Sequence, residues 1–247
     1  MKRAALITLL ISLFSQLNAQ VTDKMITSWW FNTTNQTYNS IVVNVEAVYY
    51  TTTKVYIKSS GVPSYYTNGG SLFNASDKTN VFILPRTQTV GTSATRTYLR
   101  DQGNVAVFID GSVAFSPCDG KTYNSAGVWH QLAYKFESGD FDTYNGHSNP
   151  SGTYHHHVNP SPLYTVSASS VHSPIIGYAF DGYPIYGPYG YTNTDGTGAI
   201  KRMTTSWSVR NITTRTTLPD GSVMRSPGSI SAIFCFTRLI TASGFSP

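Results

Sequence analysis

The residues best suited to chemistry are the histidines, which all fall within one stretch of the chain. The sequence of 247 residues contains six of them. They are His130, His147, His155, His156, His157 and His172. Acidic residues accompany them, although the whole chain has only 12. They are Glu137, Asp140, Asp142 and, soon afterwards, Asp181. Zinc, copper and iron accept imidazole and carboxylate ligands in a site without thiolates. The clustering therefore predicts a metal site.

The spacing of three consecutive histidines favours two of them as ligands. If residues 154–158 are extended, successive side chains point to opposite faces of the strand. His155 and His157 would then share one face, and Tyr154 and His156 would share the other. We predict that His155 and His157 are the core ligands of a zinc or copper ion.

Further ligands and catalytic groups must come from neighbouring segments. His147 precedes the pair and His172 follows it, so loops can bring both back to the site, and we predict them as the remaining ligands. The candidate general bases, which could instead orient a ligand imidazole, are Asp142, Asp181 and Glu137. An open coordination position would permit metal-dependent hydrolysis or redox chemistry.

Two interpretations without a metal stay open. The histidines could form a polar network that holds loops through backbone carbonyls and tyrosines, or they could act in acid–base catalysis. Other catalytic signatures are absent: the sequence has no H-E-x-x-H, no G-x-S-x-G and no glycine-rich phosphate loop. It therefore gives no support for a serine hydrolase.

An aromatic segment follows the histidines. Residues 175–180 can form a buried strand that ends at an Asp-Gly turn, and residues 183–188 form a rigid loop rich in tyrosine and proline. The candidate binding residues are Tyr154, Tyr183 and Tyr186. Exposed tyrosines can stack on the rings of a small molecule or glycan. This observation supports a second hypothesis, a non-catalytic extracellular binding or adhesion module.

The elements that position these residues are strands and turns. Alternating runs rich in β-branched and aromatic residues predict strands over residues 41–50, 53–57, 80–84, 104–109 and 113–115. No stretch keeps the helical period of about 3.6 residues over three turns. We predict an all-β fold: a single irregular, sandwich-like domain with long Gly/Pro/Tyr-rich loops and little helix. Residues 146–198 should be mostly loop.

Composition and the N-terminal residues limit the class of protein. Only 12% of the residues are charged, and 17 basic against 12 acidic residues is too small an excess for a nucleic-acid-binding face. Residues 1–3 are basic, residues 4–14 are apolar, and residues 17–19 fit a signal-peptidase site. The apolar run is shorter than the roughly 20 residues of a membrane span. We predict a signal peptide over residues 1–19, a secreted or periplasmic domain over residues 20–247, and no membrane insertion.

The two cysteines, Cys118 and Cys235, could form a disulfide in an oxidising compartment. Closing so long a loop stabilises a fold by about 4–5 kcal/mol in the chain-entropy model. The bridge forms only if the geometry of the two side chains allows it, and the alternative is that the cysteines stay apart.

Several runs of residues carry a resemblance to a known family. They are Gly146-His147, Gly152-Thr153-Tyr154-His155-His156-His157, the stretch from His172 to Gly187, Asp119-Gly120-Lys121-Thr122-Tyr123-Asn124, Val128-Trp129-His130, Arg202-Met203, and Thr216-Thr217-Leu218-Pro219-Asp220-Gly221. Over about residues 40–228 the chain resembles the YHYH-domain family of secreted proteins. The resemblance implies membership of the family and names no reaction.

Two features depart from the family's pattern. The third position of the motif that gives the family its name is His156 instead of tyrosine, which we expect to be harmless if this side chain faces away from the site. Residues 229–247 lack the acidic, Asn-Gly-containing segment and the final aromatic strand that the resemblance implies. We therefore predict that this tail is divergent or truncated.

Overall fold

The structure, a computed structural model, describes residues 23–66, 72–89, 103–121, 130–164 and 170–204. The strands in these residues are β1 (Thr37–Tyr38), β2 (Ile41–Val42), β3 (Val45–Tyr50), β4 (Lys54–Ser59), β5 (Asn80–Pro85), β6 (Asn104–Phe108), β7 (Val113–Phe115), β8 (Cys118–Lys121), β9 (His130–Leu132), β10 (Gly146–Ser148), β11 (Tyr154–His156), β12 (Ile175–Ala179), β13 (Pro184–Tyr186), β14 (Tyr189–Tyr191) and β15 (Ile200–Arg202). The helical segments are α1 (Lys24–Thr27), α2 (Ala133–Glu137) and two 3₁₀ turns (Ser138–Asp140 and Ser161–Leu163). The prediction of an all-β fold with little helix is confirmed.

Six strands form the sheet that carries three of the histidines. Their order is β10-β11-β7-β6-β12-β13. Strand β11 runs parallel to β7, and the other neighbouring strands are antiparallel. This order places β10 and β11 at one edge of the sheet and β13 at the other. Four strand spacings, or about 19 Å, therefore separate β11 from β13.

A three-stranded antiparallel sheet, in the order β3-β4-β5, packs against the six-stranded sheet. One apolar core includes Val55, Ile57 and Leu84 from the smaller sheet together with Val107 and Ile176 from the larger one. Alternate residues of β4 and β5 are buried, as expected when one face of a strand covers a core. The two sheets thus form the sandwich-like arrangement that the alternating pattern predicts.

Two elements differ from their predicted extent. The strand expected over residues 41–50 is divided into β2 and β3, because Asn44 between them has a φ of 63° and interrupts the extended backbone. The described part of residues 146–198 contains five short strands, β10 to β14, and is more regular than expected. Gly177 permits part of this pairing, since a Cβ at this position would lie 2.7 Å from the carbonyl oxygen of Val107 on β6.

Helix α2 and the following 3₁₀ turn bring two carboxylates beside β10. The backbone N–H of Ala133, the first residue of α2, donates to the carbonyl of Pro117, so the start of the helix is attached to the chain before β8. Glu137 and Asp140 are three residues apart, which places them on the same side of a helical segment. Both carboxylates contact His147 on β10.

Candidate metal centre

The pairing of β10 with β11 brings the histidines together. The two strands are antiparallel, and His147 lies directly opposite His155. Directly opposite residues project from the same face of a sheet, and the two ring centroids are 4.4 Å apart. His157 follows β11 and lies on this face too, with its ring centroid 4.9 Å from that of His155. The alternation predicted for residues 154–158 thus holds in the structure.

The inner nitrogen atoms of these three rings converge with one carboxylate. The Nε2 atoms of His155 and His157 are 3.1 Å apart. Oε2 of Glu137 lies 3.0 Å from Nε2 of His147 and 3.0 Å from Nε2 of His157. One potential ligand atom from each of these four residues lies within 4.8 Å of the others. The four residues therefore form a group that could hold a metal ion.

The outer nitrogen atom of each ring faces a hydrogen-bond acceptor. Nδ1 of His147 is 3.0 Å from Oδ2 of Asp140. Nδ1 of His155 is 3.0 Å from the carbonyl oxygen of Thr153, and Nδ1 of His157 is 2.8 Å from that of Ser116. A carbonyl oxygen can only accept, so the hydrogen must lie on Nδ1 in His155 and His157. In the neutral form of these rings, Nε2 carries a lone pair that points to the centre of the group, as in imidazoles that bind metals.

The distances between the ligand atoms and an unpartnered nitrogen atom of His147 both fit a metal ion at the centre of the group. Ligand atoms about 2.0–2.2 Å from a tetrahedral zinc ion lie roughly 3.3–3.6 Å from one another. The three distances given above, 3.0, 3.0 and 3.1 Å, are slightly below this range. Nε2 of His147 is buried and makes no hydrogen bond of suitable geometry with any described residue, although it lies 3.0 Å from Glu137. This nitrogen atom is therefore available to a metal ion.

Aromatic rings enclose the group. The ring of Phe115 stacks on His155, with centroids 3.8 Å apart. Phe141 lies edge-on to His147 at 5.0 Å and parallel to His157 at 6.2 Å. The imidazoles are almost fully buried, whereas the side chain of Glu137 is 22% exposed. Solvent therefore approaches the group from the side of Glu137.

Burial and charge set the protonation of the group. Burial lowers the pKa of His155 to about 3, so this ring is neutral near neutral pH. Burial alone would also lower the pKa of His147, but the carboxylates of Glu137 and Asp140 outweigh it and raise that pKa. Burial alone would raise the pKa of Glu137, but its contacts with His147 and His157 hold it well below the usual range. Glu137 is therefore an ionised carboxylate that faces the Nε2 atoms of His147 and His157.

A further carboxyl group, that of Asp119 on β8, lies at the exposed side of the group. Its side chain contacts that of Glu137. Burial, together with the nearby charge of Glu137, raises the pKa of Asp119. In the sequence, Asp119 was noted only as part of a run that resembles the family, and no spacing rule connects it with the histidines.

The opposite face of β11 carries Tyr154 and His156, which are both buried. The hydroxyl of Tyr154 donates to Oδ2 of Asp142 at 2.7 Å. The backbone N–H groups of Tyr144 and Gly146 donate to Oδ1 of the same carboxylate. These three hydrogen bonds hold Asp142 in the turn before β10, on the Tyr154 side of the sheet. Neither Tyr154 nor Asp142 belongs to the group of potential metal ligands found among the described residues.

His156 is held by two hydrogen bonds on this same face. Its Nδ1 atom donates to the carbonyl oxygen of Asn145 at 3.0 Å, and its Nε2 atom accepts from the hydroxyl of Tyr65 at 3.2 Å. Burial lowers the pKa of His156 to about 3. His156, which stands where the family's motif has tyrosine, is therefore not one of the potential ligands.

His172 lies near the other edge of the six-stranded sheet. Its ring packs edge-on against Tyr186 of β13 with a centroid distance of 5.0 Å, and its Nδ1 atom donates to the carbonyl oxygen of Ser173. The group of potential ligands among the described residues does not include His172. The physical reason is the strand order, which inserts β7, β6 and β12 between β11 and β13.

Asp181, Tyr183 and Tyr186 also belong to this second edge. Asp181 is exposed in the turn between β12 and β13, and its Oδ1 atom accepts from the backbone N–H of Tyr183 at 3.4 Å. Tyr186 is 42% exposed, and Tyr183 is half-buried. The predicted catalytic and binding residues of this segment are therefore separated from the histidine group.

Some predictions fall on residues that the structure does not describe. Cys118 is buried in β8, but Cys235 lies outside the described residues, so their disulfide stays a prediction. The same holds for the signal peptide at residues 1–19 and for the tail at residues 229–247. Among the described residues, no helix has the length and apolar character of a membrane span.

Asp140 contacts His147, and the sequence reasoning noted this residue without selecting it. A usable signal was its separation of three residues from Glu137, which places both carboxylates on one side of a helical turn. No sequence signal could indicate that the carbonyl groups of Thr153 and Ser116 accept from His155 and His157, because every residue carries a backbone carbonyl.

Comparison with known proteins agrees with this arrangement of motifs. The family model described as "YHYH protein" matches residues 81–232, which is more than half of the chain. No curated protein and no solved structure shows significant similarity to the chain. The matched range includes β10, β11 and the complete histidine–glutamate group. The chain therefore belongs to the YHYH protein family.

Proposed function

We propose that this protein binds a divalent transition metal through His147, His155, His157 and Glu137. The observation that supports this most strongly is the convergence of three Nε2 atoms and one carboxylate oxygen. Three imidazoles and one carboxylate suit zinc or copper, whereas calcium and magnesium prefer all-oxygen sites. Asp142, Asp181 and His172 have no place in this ligand set.

The exposed side of the group favours a catalytic use of the centre. A zinc or copper ion held there would act as a Lewis acid on a bound water molecule or carbonyl group. Glu137 contributes the most exposed of the four potential ligands, and Asp119 contacts it from the same side. Asp119 is thus placed to hold or release a proton beside the centre. Metal-assisted hydrolysis is the activity class that we propose for it, and this activity would require an ion that accepts water or substrate as a fifth ligand beside the four protein groups.

Metal titration tests the binding function. Metal-depleted protein without a histidine tag would be titrated calorimetrically with zinc chloride and with copper chloride. We expect about one ion per chain for the wild type and for His172→Ala, and no binding for the double variant His155→Ala/His157→Ala. Equal losses in the His172 variant and the double variant would contradict the proposed ligand set.

A second function, binding of a sugar ring, is favoured by a cleft at the β13 side of the molecule. The cleft has a volume of about 320 Å³, and Trp30 and Tyr164 form part of its lining. Trp30 is 37% exposed, so its ring is available for stacking. Glycan-array binding that is lost in Trp30→Ala would support this function, and an array without signal would exclude it for the glycans present.

We also propose that the protein is exported. The basic residues 1–3, the apolar residues 4–14 and the cleavage pattern at residues 17–19 support a signal peptide. Expression of the full chain, with mass spectrometry of the protein in the medium or periplasm, tests this proposal. The expected N-terminus is Gln20, and a cytoplasmic product that retains Met1 would contradict it.

A further inference from the structure

We infer that Asp140 is a positioning residue for this centre, because its carboxylate holds the ring of His147 with Nε2 directed at the other ligands. This inference rests on the proposed metal-binding function. Oδ2 of Asp140 lies 3.0 Å from Nδ1 of His147, and the Asp140 side chain is only 16% exposed. A carboxylate in this position fixes the tautomer and orientation of the imidazole and strengthens it as a metal donor.

Asp140 differs from the groups that hold the other two imidazoles. His155 and His157 donate to neutral backbone carbonyls, which belong to Thr153 and Ser116. A hydrogen bond to a charged carboxylate is roughly twice as strong as one to a neutral acceptor. Of the three Nδ1 contacts described for these rings, the one with Asp140 therefore holds its imidazole most strongly. It is also the contact that a side-chain substitution can remove.

The carboxylate of Asp140 is itself fixed. The backbone N–H of Leu72 donates to its Oδ1 atom at 2.5 Å. Residues 72–76 are attached in turn to the β10–β11 loop, because the N–H of Ser76 donates to the carbonyl of Gly152 at 2.9 Å. Asp140 is thus held between His147 and a segment that is attached to the same hairpin. Rotation of the carboxylate away from His147 would break the Leu72 contact.

A purely structural role for Asp140 makes a different prediction. If its carboxylate served only to satisfy the Leu72 N–H, then Asp140→Asn would have little effect, since the amide keeps an oxygen acceptor at Oδ1. If it positions His147, then Asp140→Asn places the amide NH2, a donor, where Oδ2 accepted from Nδ1, and this change removes the hydrogen bond that holds the ring in its tautomer. The matched control is Asp181→Asn, the same change at an exposed turn on the other edge of the sheet.

Zinc affinity, measured by competition with a chromophoric chelator, tests the inference on the full protein. We expect Asp140→Asn to weaken zinc binding about 10- to 100-fold, with Asp181→Asn within about twofold of the wild type. The urea midpoint of metal-free Asp140→Asn should stay close to that of the wild type. Wild-type zinc affinity in a folded Asp140→Asn protein would overturn the inference and leave the proposed metal site intact.

Nitrogen-15 NMR of the histidine rings supplies a second readout that needs no metal. In the metal-free wild type we expect the Nδ1 proton of His147 to give a hydrogen-bonded signal that is displaced or lost in Asp140→Asn. An unchanged His147 signal would overturn the inference. If the wild type binds no zinc, the proposed function fails, and the NMR comparison still decides whether Asp140 orients His147.

Discussion

The Nε2 atoms of His155 and His157 lie 3.1 Å apart, while the Nδ1 atom of each ring faces a backbone carbonyl. When both rings are neutral, the hydrogen of each lies on Nδ1, and two lone pairs then face each other across this short distance. A proton or a cation between them would remove the repulsion. Burial lowers the pKa of His155 to about 3, which disfavours the proton at neutral pH. A metal ion bound by both Nε2 atoms would remove the repulsion without a proton on His155.

Glu137→Gln should weaken metal binding strongly. The substitution removes the carboxylate that lies 3.0 Å from both His147 and His157, while it keeps the size of the side chain. Since loss of an outer hydrogen-bond partner costs about 10- to 100-fold in affinity, loss of a direct ligand should cost more. Competition with a chelator measures the change. Glu46→Gln, at a Lys58 ion pair on the smaller sheet, is the control that should bind as the wild type does.

Zinc should raise the thermal stability of the protein. A ligand that binds only the folded state stabilises it by about 2.7 kcal/mol at a concentration of 100 times its Kd. For a domain of this size, that corresponds to an increase in Tm of roughly 5–10 °C. Differential scanning fluorimetry with zinc, followed by a chelator, measures the shift and its reversal. An equal shift in His155→Ala/His157→Ala would show that zinc stabilises the protein by another route.

The site residues that were predictable from sequence are those linked by strand periodicity. Alternation within residues 154–158 placed His155 and His157 on one face, because a strand has a period of two residues. His147 was expected to return by a loop, and it does so as the partner of His155 in a hairpin. Glu137 was expected near the site as a general base or an orienting group, and its carboxylate lies among the imidazoles.

The remaining features depend on the order of strands, which local patterns do not determine. His172 is only 15 residues from His157 in sequence, yet strand order places it near the opposite edge of the sheet. Asp142 is close in sequence to the histidines, but its hydrogen bonds hold it on the other face of β11. The carboxyl of Asp119 reaches Glu137 through packing of β8 against α2, which no sequence spacing reveals.

His156→Tyr should make the metal-free protein less sensitive to acid. Burial holds the pKa of His156 at about 3, against an ordinary value of 6.5. Between these two values the unfolded state binds more protons, so stability falls as the pH falls. One such group contributes up to about 1.4 kcal/mol per pH unit. Urea unfolding across this range should give a smaller pH slope for His156→Tyr, whatever its absolute stability. Equal slopes would show that His156 does not titrate in this way.

Gly146→Ala should disturb the hairpin that carries the ligands. A Cβ at this position would lie 2.7 Å or less from atoms of Tyr154 and His156, which are buried and hydrogen-bonded. Such overpacking costs about 1–3 kcal/mol and would displace His147 from His155. Both the free energy of unfolding and zinc affinity should fall. Gly139→Ala is the matched control, since a Cβ there has no described atom within 4 Å, and a similar loss in that variant would contradict the explanation.

The metal content of the protein tests the central claim most directly. The chain would be expressed without a histidine tag, purified without chelator, and analysed by inductively coupled plasma mass spectrometry beside His155→Ala/His157→Ala. The account predicts about one zinc or copper ion per wild-type chain and none in a double variant that remains folded. A folded wild-type protein that contains no metal and takes up neither zinc nor copper would contradict it.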